Sequence, residues 1–418
     1  MLDTGQARAA GERVIAWAEA LAAHTDHPGQ LTVAYLTPAH RQASLELRQR
    51  MREAGFDEVL EDAVGNVVGR YRGREPDAPA LVTGSHFDTV RDGGRYDGRL
   101  GVLLPIAVVA EYAARGARPR HTLEVVGFAE EEGLRFHSAF LASSALAGSF
   151  DFGLLERTDA DGTRMDDLMR AHGLAPEAIA GGARDPSRVA AFVEVHIEQG
   201  PVLLERGLAL GAVSSINGAR RVMVRLRGVA GHAGTTPMAM RRDAGAAAAE
   251  VVLFVERRCA SQPDLVGTVG MLAVPGGSTN VIPGACEFSL DVRAPQDAVR
   301  DAALEDILAE IAAVCERRGI ACELEHTMNV PAAPCHPELR AQWRAAIEAT
   351  GQAPIELPSG AGHDAMKMAE IAPIGMLFVR CGAGGISHNP LETITAEDAG
   401  AAAGAFAAFV ARFRAPAR

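Results

Sequence analysis

Short apolar runs that end in glycine or a charged residue alternate along this chain with longer stretches of helical period, the pattern of a sheet covered by helices. Residues 80–85 (ALVTGS), 122–129 (TLEVVGFA), 191–195 (AFVEV) and 374–380 (IGMLFVR) predict strands. Residues 102–114 are apolar apart from Glu111 and follow a Gly-rich turn, so they predict a buried helix. The N-terminal stretch sets Asp3, Glu12 and Glu19 among apolar positions, and predicts an amphipathic helix rather than a cleaved leader. Charged residues follow directly on several of the strands. In open α/β sheets ligands gather beyond the carboxyl ends of the strands, so that placement already marks candidate chemistry.

The middle of the chain has a different rhythm. Residues 219–227 (ARRVMVRLR) and 286–293 (CEFSLDVR) alternate as half-exposed strands, with an Ala-rich helix over 243–258 and a second helix over 298–318. Short strands near 267–273 and 322–325 complete a strand–helix–strand–strand–helix–strand order, that of a ferredoxin-like α+β insertion. Breaks near Ser214 and Asn329, the second followed by Pro331, Pro334 and Pro337, divide the chain into 1–213 with 330–418 and an inserted 214–329. A length of 418 residues exceeds one typical core, which agrees with two domains.

Composition narrows the partners. A hydrophobic fraction of 48% supports packed cores, and 22% charged residues fit an ordinary surface. A net charge of −12 argues against nucleic acid or an anionic membrane surface, yet leaves room for a local cationic pocket and a small anionic substrate. The six cysteines (259, 286, 315, 322, 335 and 381) form no CxxC pair and read as thiols of a reducing compartment. With no apolar stretch of membrane-spanning length, a cytoplasmic protein is the expectation.

Six segments carry candidate chemistry. GSHFDTV offers His86 and Asp88, an imidazole ligand and a carboxylate able to orient it. RYDGRLG sets Asp97 in a glycine-flanked turn, where one carboxylate can bridge two cations. Glu130, Glu131 and Glu132 follow a strand directly; three adjacent carboxylates repel one another, and a bound cation relieves the repulsion. EVHIEQG supplies His196 and Gln199, and the pair SGAGHDAM and GISHNPLE supplies His363 and His388. Each motif alone is weak. Together they make a set of hard and borderline donors of the kind that zinc or manganese takes.

The ordered series GSHFDTV, YDGRLGV, AEEEG, HIEQGPVLLE, GHAGTTPM, STNVIPG, SGAGHDAM and GISHNPLE resembles the amidase branch of the M20 metallopeptidase-like family: N-carbamoyl-L-amino-acid hydrolases, allantoate amidohydrolases and β-ureidopropionases. The resemblance runs from about Thr25 to the C-terminus. It implies a di-metal α/β catalytic domain interrupted by a smaller lid or dimerisation domain. It implies two divalent ions per subunit, zinc or manganese with cobalt or nickel as substitutes, held by His86 and His196 on one side and Glu132 and His388 on the other, bridged by Asp97. Glu131 is then the general base and Asp88 holds the His86 ring; the order of base and ligand in the acidic run comes from the family alone. His232 would stabilise the tetrahedral oxyanion from the partner subunit of a homodimer. Asn280 and Arg293 would clamp the substrate carboxylate, with Gln199 and His363 near the site. Arginine suits that role because its guanidinium fork matches a carboxylate.

The implied reaction is hydrolysis of a C–N bond in an N-carbamoyl-L-amino acid or allantoate, with release of ammonia and CO2. Leu134 and His137 stand where relatives commonly carry Ser and Pro, a difference that bears on substrate identity. A dipeptidase or aminoacylase on the same fold is the alternative, disfavoured by HIEQG and by the Asn280–Arg293 pair. A non-catalytic scaffold is disfavoured by the complete ligand set.

Overall fold

The computed structural model describes residues 1–417, and the chain forms two compact units. The first comprises Met1–Ser214, Cys335–Leu357 and Ala361–Arg418. Its sheet runs, in spatial order, Glu58–Glu61, Val67–Tyr71, Leu123–Phe128, Ala80–His86, Val189–Ile197, Ile374–Val379 and Leu210–Ile216. The four central strands are mutually parallel, and antiparallel neighbours flank them on either side. Parallel strands buried on both faces read as continuous apolar runs. LEVVGF of Leu123–Phe128 and IGMLFV of Ile374–Val379 are buried at every position.

Helix Arg99–Ala114 packs on Ala80–His86 and Val189–Ile197 and buries most of its surface, as a helix apolar all round must. It begins three residues before the expected start at residue 102. A Cβ at Gly101 would lie 2.2 Å from the Val195 carbonyl oxygen, so glycine allows helix and strand to meet there. Helices Thr4–Leu21, Pro38–Glu53, Pro337–Glu348 and Ala396–Arg412 complete the cover. Asp3 caps the first by accepting the Gln6 N–H, the reciprocal capping box. Among the described residues no helix is long and apolar enough to cross a membrane.

The second unit comprises Ser215–Pro334 and Pro358–Gly360. Its antiparallel sheet has the order Leu272–Ala273, Ala285–Ala294, Gly218–Arg227, Ala321–Val330, and Val266–Thr268 also pairs with Ala285–Ala294. Helices Ala244–Ala260 and Asp297–Arg318 pack on it. Alternation puts Val222, Val224, Leu226, Phe288, Leu290 and Val292 in this unit's core. Two expectations shift. The strand expected near 267–273 is two short strands separated around Gly270, and that expected at 322–325 extends over Ala321–Val330.

Candidate metal centre

His86, Glu132 and His196 lie at or just beyond the carboxyl ends of parallel strands, Asp97 in the turn that opens helix Arg99–Ala114, and His388 in the segment that follows Ile374–Val379. His86 is the last residue of Ala80–His86, and His196 is the penultimate residue of Val189–Ile197. The Asp88 carboxylate accepts the backbone N–H of Glu131 at 3.1 and 3.2 Å and that of Glu132 at 3.1 Å, and lies 3.3 Å from His86 Nδ1. One side chain thus ties the first histidine to the acidic run, and turns the other ring nitrogen, Nε2, toward Asp97 Oδ1 at 3.8 Å. His196 is oriented in the same way. Its Nδ1 lies 2.9 Å from the Ile197 carbonyl oxygen, and Nε2 faces Asp97 Oδ1 at 3.2 Å while accepting the Gly98 N–H at 3.2 Å. His388 Nε2 approaches the other Asp97 oxygen, Oδ2, at 3.1 Å and Glu132 Oε1 at 3.6 Å. Gly98 adopts φ +64°, and a Cβ there would lie 2.4 Å from the His86 ring, so the turn that presents Asp97 needs glycine.

Three imidazoles and two carboxylates therefore converge with Asp97 in the middle, as the sets His86–Asp97–His196 and Asp97–Glu132–His388. Within each set the donor atoms lie within 4.8 Å of one another. Donors around one zinc ion at about 2.0–2.1 Å sit about 3.3 Å apart in a tetrahedron, which several of these separations approach.

Charge supports the same conclusion. Asp88, Asp97, Glu130, Glu131, Glu194, Asp364 and Glu392 are all buried, with Arg99 as the buried arginine near them. Burial pushes the Glu131 carboxyl well above its ordinary range and, with repulsion from Asp97 and Asp88, raises Glu132 to about 7. Burial would raise Asp97 too, but its bonds to His196 and His388 hold it well below. His388 is raised to about 9, chiefly by its bond to Asp97. Burial would lower His86, yet Asp88, Glu131 and Glu132 outweigh that and raise it well above its usual value. The raised histidines and glutamates around a charged Asp97 mark an anionic pocket suited to cations. Donor chemistry, geometry and charge fit divalent metal.

The remaining sequence candidates separate into two groups. Glu131 groups with His86 and Glu132, and His363 with Glu194 and His196. The His363 ring stands edge-on to His196 with centroids 4.5 Å apart. Gln199 holds the uncommon φ of +56° and donates from Nε2 to Asp97 Oδ2 at 3.0 Å. His232, Asn280 and Arg293 belong to the second unit. There His232 pairs with Val281 across a two-stranded ribbon, and the Ala233 N–H donates to the Asn280 carbonyl at 2.9 Å. Arg293 is bound to Asp291 and to the Gly360 carbonyl.

Glu392 and Ser387 are among the site residues that the sequence did not single out. Glu392 is fully buried and accepts the N–H groups of Tyr96 at 2.9 Å and Asp97 at 3.1 Å through Oε1. Its Oε2 lies 2.8 Å from the Ser387 hydroxyl, which is also 3.1 Å from Asp97 Oδ2. Glu392 thus anchors the turn that carries Asp97. The signal was present, since both residues stand inside GISHNPLE beside His388.

Residues 82–412 match the family described as peptidase family M20/M25/M40. The chain is 40% identical over 370 residues to an N-carbamoyl-L-amino acid amidohydrolase of Geobacillus stearothermophilus, covering 88% of this chain and 90% of that protein. It is 38% identical over 409 residues to an allantoate deiminase of Arabidopsis thaliana, covering 90% and 78%. The crystal structure of a hydantoinase/carbamoylase-family amidase from Burkholderia multivorans superposes with a TM-score of 0.90 at 35% identity, covering 96% of this chain and 97% of that one.

Proposed function

The chain belongs to peptidase family M20/M25/M40, and we propose that it is a metal-dependent amidohydrolase releasing ammonia from a small ureido acid, an N-carbamoyl-L-amino acid or allantoate. The observation that carries this reading is the convergence of His86, Glu132, His196 and His388 on the two oxygens of Asp97, in a chain similar along most of its length to enzymes of that chemistry. His86, Asp97 and His196 would hold one divalent ion and Asp97, Glu132 and His388 a second. Such ions, when bound, supply Lewis acidity and lower the pKa of water.

The chain's own groups do the rest. Glu131, whose carboxyl burial has made more basic, accepts a proton from the attacking water and returns it to the departing nitrogen. Asp88 keeps the His86 ring aimed and holds the acidic run by its backbone. Gln199 and His363 border the ligand cluster and are assigned to the substrate. Arg293 and Asn280 receive the substrate carboxylate, and His232 meets the oxyanion, crossing from the partner in a homodimer. Zinc or manganese suits the donor set, and cobalt or nickel would substitute.

A panel of N-carbamoyl-L- and D-amino acids, N-carbamoyl-β-alanine, allantoate and dipeptides, assayed with added manganese, zinc or cobalt, tests the reading. Ammonia from a ureido acid is the expected result. Amino-acid release from dipeptides without ammonia from any ureido acid would contradict it.

A further inference from the structure

On strand Ala285–Ala294 of the second unit, Asp291 and Arg293 stand two positions apart and so project from one face. Arg293 Nε and Nη2 donate to Asp291 Oδ1 and Oδ2 at 2.8 and 2.9 Å, a parallel fork, and Nη1 donates to the Gly360 carbonyl at 2.8 Å. Arg221, directly opposite Asp291 on the neighbouring strand, donates from Nε to Asp291 Oδ2 at 2.7 Å. Burial works to raise the Asp291 carboxyl, but its bonds to the two arginines outweigh that and hold it below its ordinary value, so it stays charged. All three residues line a cleft of about 680 Å³, together with Met223, Met271 and Ser289.

A guanidinium has five N–H donors. Three are committed here, which leaves one on each terminal nitrogen of Arg293 for an incoming carboxylate. Arg293 and Asp291 alone would cancel each other's charge, and the fixed carboxylate would repel a second one. Arg221 changes that balance. Two arginines against one aspartate leave a net charge of +1 on the cluster.

We infer that Arg221 and Asp291 are positioning residues for carboxylate recognition: Asp291 fixes the plane of the Arg293 guanidinium, and Arg221 keeps the cluster cationic. The inference rests on the reading that Arg293 receives the substrate carboxylate. Arg221 acts as a charge through one bond, so lysine should replace it. Arg293 acts as a fork, so lysine should not.

The test is steady-state ammonia release by the full-length, metal-loaded protein, using N-carbamoyl-L-alanine and allantoate as probes and following whichever turns over. R221Q and D291N should each raise KM about ten-fold with kcat within about two-fold, the size of one lost charge-assisted contact. R221K should restore KM to within about three-fold. An unchanged KM in R221Q and D291N, where R293Q raises it, overturns the inference alone. A loss of kcat in R221Q that R221K fails to rescue assigns the cluster a structural role and also overturns it. An unchanged KM in R293Q overturns the reading beneath, as does turnover of neither probe.

Discussion

Asp97 gives one oxygen to His86 and His196 and the other to His388, so a single carboxylate organises three imidazoles from distant parts of the chain. Beside it, Glu131 is the proposed base. Glu131→Gln should lower kcat by about 10²–10⁴-fold while metal content stays as in the parent; near-parent turnover would sink that role. A second residue, outside the ligand set, predicts a pH effect on stability. Burial lowers His40 to about 4, with Nε2 2.8 Å from the Ala129 carbonyl oxygen. The unfolded chain titrates this group near its ordinary value, so between that value and 4 the unfolded state binds more protons. Stability is therefore full above the unfolded pKa and falls as pH drops, by about 3 kcal/mol at pH 4 from this group. Denaturant midpoints at pH 7.5 and 5 should differ less in His40→Gln than in the parent; an equal difference would refute the assignment. At this scale the candidate ligands could be picked out by residue type, because hard and borderline cations favour His, Asp and Glu, and the structure groups these side chains together. Glu392, although it stands inside GISHNPLE, was passed over because its work is to bind backbone N–H groups of the Asp97 turn, a role that its residue type does not announce.

Strands placed the site, and strands were the most readable elements. The apolar runs at 80–85, 122–129, 191–195 and 374–380 form Ala80–His86, Leu123–Phe128, Val189–Ile197 and Ile374–Val379, the parallel centre of the sheet. Edge elements were harder to read. Glu58–Glu61 is four residues long with a carboxylate at each end, and Ala321–Val330, expected only over 322–325, is exposed along most of its length. Helix Arg99–Ala114 begins with the last three residues of the RYDGRLG segment, whose glycines masked its start. Its contact with the strand bearing His196 gives a prediction for the element. Gly101→Ala would drive a methyl into the Val195 carbonyl, at a cost of about 1–3 kcal/mol. It should also weaken metal binding by shifting His196. Chemical denaturation with metal titration measures both, and parent-like values would show that helix and strand can part without consequence.

Across the whole molecule, acidity and substrate charge are reconciled locally. The net charge is −12, yet Arg221 and Arg293 line one cleft of the second unit, with Asp291 between them. A homodimer in which His232 serves the neighbouring site predicts twice the chain mass by equilibrium sedimentation, and a fully active monomer would refute that arrangement. The pair of ions proposed for the Asp97 cluster is the claim on which the chemistry rests. Metal content per chain, measured by plasma emission on manganese- or zinc-reconstituted parent and Asp97→Asn proteins, tests it most directly. Two ions per parent chain, falling to one or fewer in the variant with ammonia release abolished, is the predicted result. Ammonia release that survives complete removal of metal, or a variant that keeps two ions and full turnover, would contradict it.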